Sequence, residues 1–124
     1  MSDLTKIGAV DDNPDTLYNR FNDGKCDPTG RLWVGTMGEE PENGHVARNK
    51  GGLFSIDSSQ KFKKHLSNIS ISNGLAWSSD LKKMYYIDSL KVTIDEYEVD
   101  LKHGSLCIYN TEIKFNNCNN KVKL

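Results

Sequence analysis

The sequence predicts an all-β chain: about two four-stranded antiparallel blades of a β-propeller. Three observations carry that prediction. Short β-rich runs recur between clusters of Gly, Asn, Asp and Ser. From Phe21 onward, no segment keeps apolar residues at i, i+3, i+4 and i+7 for three helical turns. The pattern of Asn19–Met37 also returns near residue 73, with Asn73-Gly74 standing 50 positions after Asp23-Gly24. A repeat of four short strands every 40–50 residues or so is the signature of a propeller blade. A β-sandwich also spaces strands at roughly 8–12 residues. The matched order of Gly start, tight turn, aromatic strand and longer connection favours the propeller.

Residues 1–18 read as a lead-in or the end of a preceding blade, with Leu4–Val10 as a candidate strand before the loop Asp11–Asp15. The first blade, 19–68, begins at Gly24–Asp27. Asp27-Pro28-Thr29-Gly30 follows as a β-turn, with Asp first, Pro second and Gly fourth. Arg31–Thr36, Gly52–Ile56 and Lys61–Leu66 supply its other strands. The last two are joined by Asp57-Ser58-Ser59-Gln60, and only Met37–Gly51 is a long connection. The second blade, 69–110, repeats the grammar. Asn73-Gly74 opens it, Ser78-Ser79-Asp80-Leu81 turns it, and Met84–Ile87, Val92–Val99 and Leu106–Tyr109 continue it. Residues 111–124 form a divergent polar tail.

The chain has 124 residues and a net charge of −1, enough for one modest core. Near-balanced charge disfavours a nucleic-acid partner, because no basic face is there to neutralise phosphates. No run approaches the 20 or so apolar residues that span a bilayer, so no membrane role is expected. The polar opening shows no secretory h-region. Cys26, Cys107 and Cys118 are widely spaced and odd in number, which argues for a reduced, cytoplasmic setting rather than a disulfide framework.

In an antiparallel meander the start of each blade and its second-to-third connection share one face. That face should collect Arg20, Asn22, Asp23, Glu39, Glu40, Asn73, Asp88 and Ser89. An Arg, two Asn and several carboxylates suit a hydroxylated ligand and hard-cation binding through oxygens. Each feature also has a plainer reading. Asn-Asp-Gly and Ser-Asn-Gly are common turn formers, Glu39–Glu42 can be a solvated acidic loop, and Arg20 can simply pair with an acid. Trp33, Trp77, Tyr85 and Tyr86 read as inter-blade core. His45, His65 and His103 have no ligand spacing.

Asn19–Lys25, Asp27-Pro28 and Gly35-Thr36-Met37 resemble the family of senescence marker protein 30 (regucalcin), gluconolactonases and luciferin-regenerating enzymes. So do Ile71–Ser78 and Tyr85–Ser89, and the likeness runs from about Val10 to about Gly104. The resemblance implies a partial six-bladed propeller, the whole being roughly twice this length or more. It also implies hydrolysis of a small sugar lactone assisted by a divalent metal, Ca²⁺ or Zn²⁺, with Mn²⁺ or Mg²⁺ as alternatives. Substrate contacts of the family match Arg20, Asn22 and Glu40. Its metal ligands are a first-blade Glu, the Asn of Ser-Asn-Gly and an Asp of a later Pro-Asp-Gly. Of these only Asn73 has a counterpart, and the Asp that also moves the proton has none. The expectation is therefore a lactonase-like segment with part of its site. A catalytically inactive truncated homologue and a calcium-binding regulator are the alternatives.

Overall fold

A computed structural model describes residues 3–91 and 93–114, with side chains through residue 107. Val92, Cys118 and the tail from residue 115 lie outside the described residues. The strands are β1 (Arg20–Cys26), β2 (Leu32–Met37), β3 (Gly51–Ile56), β4 (Phe62–Ile69), β5 (Ser72–Trp77), β6 (Lys83–Asp88), β7 (Thr93–Asp100) and β8 (Ser105–Lys114). They form two antiparallel meanders, ordered β1-β2-β3-β4 and β5-β6-β7-β8.

Strand ends move where pairing extends the ladder beyond the β-prone residues. β1 begins at Arg20, not Gly24, because Arg20 pairs with Met37 and Phe21 with Thr36. β8 runs to Lys114, into the stretch read as tail, because Thr93 pairs with Lys114. Leu4–Val10 is not a strand, which corrects that expectation. It makes no ladder to satisfy its backbone groups, and Leu4 and Ile7 stay exposed. The lead-in instead forms a short 3-10 turn, Pro14–Thr16, whose Asn13 side chain accepts the Asp15 N–H. Asp11 ties the lead-in to the first blade by accepting from Asn19 Nδ2 at 2.7 Å and Thr36 Oγ1 at 2.6 Å.

The core lies in the seam between the sheets. Trp33, Leu53 and Ile69 meet Leu75, Met84, Tyr86, Tyr97, Val99 and Leu101 there. Of the four expected seam aromatics, Trp33 and Tyr86 are fully buried, whereas Trp77 and Tyr85 are half-buried. Trp77 meets Trp33 edge-on at 6.5 Å, and the His65 ring lies 4.5 Å from the Trp33 ring.

One turn design recurs on the lower face. Asp27 Oδ1 accepts from Thr29 N, Thr29 Oγ1 and Arg31 N, and Asp57 Oδ1 accepts from Ser59 N, Ser59 Oγ and Lys61 N. Each is an Asp side chain closing its own turn, which is why Asp starts both. Asp27 is also buried and accepts from Trp33 Nε1 at 2.8 Å. Burial works against its carboxylate, but bonds from Thr29, Trp33 and Arg31 outweigh it and hold the pKa below the usual value. Arg31 then crosses the seam and donates to Leu101 O at 2.9 Å. Its guanidinium rests on Gly104, whose φ of 60° and absent side chain permit both the turn and the contact.

Candidate functional site

The upper face is built from two bulged inner strands. In β1 the register slips between Phe21 and Gly24, so Asn22 and Asp23 occupy a bulge. In β5 it slips between Asn73 and Leu75. A bulge adds a residue to one strand and re-aims its side chains, and bulges concentrate beside functional sites. The repeat thus places Asn22-Asp23 and Asn73 at corresponding irregularities.

Arg20 opens β1. Its Nη1 donates to Phe21 O and to Asn22 Oδ1, both at 3.1 Å, and its Nη2 lies 3.6 Å from Glu40 Oε2. Both members of that ion pair are half-exposed. Glu40 reaches it from the connection after β2, which folds back through Ala47 N to Glu39 O and Gly44 N to Pro41 O. Asn22 Nδ2 donates across the seam to Ser72 O at 2.8 Å. Ser72 stands at the position of Asn22 in the next repeat, so the bond joins equivalent points of neighbouring blades. Asp23 accepts the Gly24 N–H at 2.9 Å and serves the bulge itself.

On the second blade, Asn73 Nδ2 donates to Ser89 Oγ at 2.9 Å. Asp88 is buried, and its carboxylate accepts from Ser70 N, Ile71 N and Leu90 N at 2.9–3.2 Å. Arg20, Asn22 and Glu40 are therefore brought into one cluster, and Ser72 links that cluster to Asn73. Asp88 is a structural cap, with its oxygens taken by backbone donors. Ser72, Tyr86 and Gly35 are not singled out as site residues by the sequence, whereas Ser89 is placed on this face with Asp88. The repeat offset could have flagged Ser72, while Tyr86 and Gly35 depend on cross-strand and cross-seam contacts.

The Arg20–Asn22–Glu40 cluster offers fixed guanidinium donors, a carboxamide that both donates and accepts, and a carboxylate acceptor. That is a set for neighbouring hydroxyls or a polarised carbonyl oxygen. It does not make a divalent-metal centre. Hard cations want about six to eight oxygens, and no group of three His, Cys, Asp or Glu side chains converges among the described residues. Glu40 is paired to Arg20, Asp88 is spent on backbone, and Asn73 alone does not fit a metal. A cavity of about 260 Å³ lies elsewhere, along the β7–β8 hairpin beside Glu98, Leu106 and Cys107.

The family description "SMP-30/Gluconolactonase/LRE-like region" matches residues 2–120. Regucalcin of Xenopus laevis is 46% identical over 101 residues, covering 82% of this chain and 33% of that protein. Regucalcin of Homo sapiens is 46% identical over 98 residues, covering 79% and 32%. Among solved structures, a luciferin-regenerating enzyme superposes with a TM-score of 0.71 at 45% identity, over 83% of this chain and 33% of that one. A calcium-binding protein, regucalcin, from Agrobacterium tumefaciens superposes with a TM-score of 0.67 at 28% identity, over 79% and 31%. The chain spans about a third of the length of the curated relatives it matches.

Proposed function

This chain belongs to the SMP-30/gluconolactonase/LRE-like family, and from that premise we propose that its Arg20–Asn22–Glu40 edge binds a sugar lactone for hydrolysis. The carrying observation is the cluster itself: Arg20 is held by Asn22 at 3.1 Å and faces Glu40 at 3.6 Å, at the bulged start of an inner strand. Its chemistry suits a polyhydroxylated ring. Arg20 keeps its charge and presents planar donors, Glu40 accepts from hydroxyls, and Asn22 holds Arg20 in place while keeping capacity for a further bond. Ring opening needs a base and polarisation of the carbonyl. We assign neither role to a residue of this chain, and no step runs through a metal here, since Asn73 alone does not fit one. A Ca²⁺, Zn²⁺, Mn²⁺ or Mg²⁺ requirement, a cytoplasmic setting and the absence of nucleic-acid and membrane partners belong to the same proposal. So does a division into lead-in, two blades and tail.

Titration with D-gluconate and D-glucono-1,5-lactone tests the binding. Arg20→Ala should weaken it about tenfold or more, the loss of a charge-assisted bond; unchanged affinity would overturn the assignment. For hydrolysis, acid release is followed with each metal added, and a rate no higher than the metal-only blank would sink it. A second reading is a calcium-binding, non-catalytic role. It is favoured by the structural neighbour described as a calcium-binding protein. Under this reading calorimetry shows Ca²⁺ binding to the chain, and the absence of any binding heat rejects it.

A further inference from the structure

A fully buried polar contact of the second blade adjoins the ligand edge through Ser72, whose carbonyl accepts from Asn22. Tyr86 and Ser72 are both fully buried, and Tyr86 donates its hydroxyl to Ser72 Oγ at 2.6 Å. Ser72 Oγ in turn occupies the space that a side chain on Gly35 of the opposite blade would fill. A phenol hydroxyl in this position is not needed for packing, since its neighbours Met84 and Leu75 fill the same seam with apolar groups. A buried hydroxyl is retained at low cost only when it has a partner. Burial pushes the Tyr86 phenol pKa up, with the Ser72 bond opposing in part, so the group remains a donor.

Ser72 is also the residue whose carbonyl receives Asn22 Nδ2 at 2.8 Å, and Asn22 Oδ1 receives Arg20 Nη1 at 3.1 Å. We propose that Tyr86, acting through Ser72 in the Gly35 notch, is a positioning residue that sets the direction of Asn22 and hence of Arg20. This rests on the reading of Arg20–Asn22–Glu40 as the ligand edge. Tyr86 touches no ligand. It fixes the side chain of Ser72, and Asp88 fixes the backbone just before Ser72 by accepting from Ser70 N and Ile71 N. Between them they leave the Ser72 carbonyl one direction, aimed across the seam at Asn22. One blade thereby aligns the binding residues of the other.

Tyr86→Phe removes only the hydroxyl, and the 124-residue chain is studied in three measurements. In the ligand-free protein the ¹H–¹⁵N resonances of the Asn22 side-chain amide should shift. Affinity for D-gluconate should fall about fivefold, the worth of one ordinary hydrogen bond, while thermal unfolding stays cooperative. Ser72→Ala breaks the same contact from the other side and replaces the first variant should that one not fold. In the double variant the two losses should not add, as for groups acting as one unit. An Asn22 resonance unmoved in the folded variant overturns the proposal, even if the melting temperature drops. If the unmodified chain binds no D-gluconate, the ligand reading fails. The Asn22 resonance then still decides whether Tyr86 positions that side chain.

Discussion

His65 has no ligand spacing in the sequence, and its surroundings couple its protonation to the stability of the fold. Its ring lies against Trp33, and its Nε2 is 2.7 Å from Ser55 Oγ. Burial, then the charges of Lys63 and Arg31, push its pKa from 6.5 down to about 4. The unfolded chain therefore binds more protons between those two values. Stability from the neutral ring is complete above pH 6.5 and is lost as the pH falls toward 4. The ring is partly open to solvent, so the effect is discounted to on the order of 1 kcal/mol. Melting curves between pH 7 and pH 4.5 should fall more steeply for the native chain than for His65→Gln. Parallel curves would show that another group governs the acid loss.

Among the elements, the end of β6 governs the start of β5. Asp88 gathers three backbone donors around one buried carboxylate, and Ser89 N donates to Ile71 O beside it. Asp88→Ala leaves buried N–H groups without an acceptor and should cost about 3 kcal/mol, as expected for bonds to a charged group. Chemical denaturation measures this, and a cost below about 1 kcal/mol would mean that water replaces the carboxylate. The bulges of β1 and β5 were not legible from the sequence. Asn-Asp-Gly and Ser-Asn-Gly announced a local irregularity, but only pairing with β2 and β6 decided that it would be a bulge within a strand. The places of the Asp27 and Asp57 turns were legible, while the closing of each turn by its own Asp side chain on residues two and four positions later came from the structure.

At the scale of the whole molecule, one seam carries the core. Trp33 is fully buried at its centre, between His65 and Trp77. Trp33→Ala should cost about 3–5 kcal/mol, against a total of about 5–15 kcal/mol for an ordinary domain. Near-complete loss of cooperative unfolding is the expected outcome, and a loss under 1 kcal/mol would show that the blades do not depend on this seam. The far flank of the second blade is dressed differently. Tyr85, Ile87 and Ile94 are half-buried there, beside a Lys83–Glu96 pair at 2.7 Å. Glu96 raises the Lys83 pKa through its hydrogen bond and its charge.

The sequence by itself determined the all-β class, the two-blade repeat and the positions of the tight turns at Asp27 and Asp57. It also placed Arg20, Asn22, Glu40 and Asn73 on one face. Each of these follows from local rules: alternation, turn chemistry, and the reversal of direction at every antiparallel turn. Tertiary structure alone decided that Asn22 would bond to its own repeat equivalent, that Ser72 would fill the space above Gly35, and that Tyr86 would hold it there. It also decided that Leu4–Val10 would remain unpaired and that β8 would extend to Lys114. These outcomes join residues far apart in the chain, so they are fixed by which surfaces meet when one blade packs on the next.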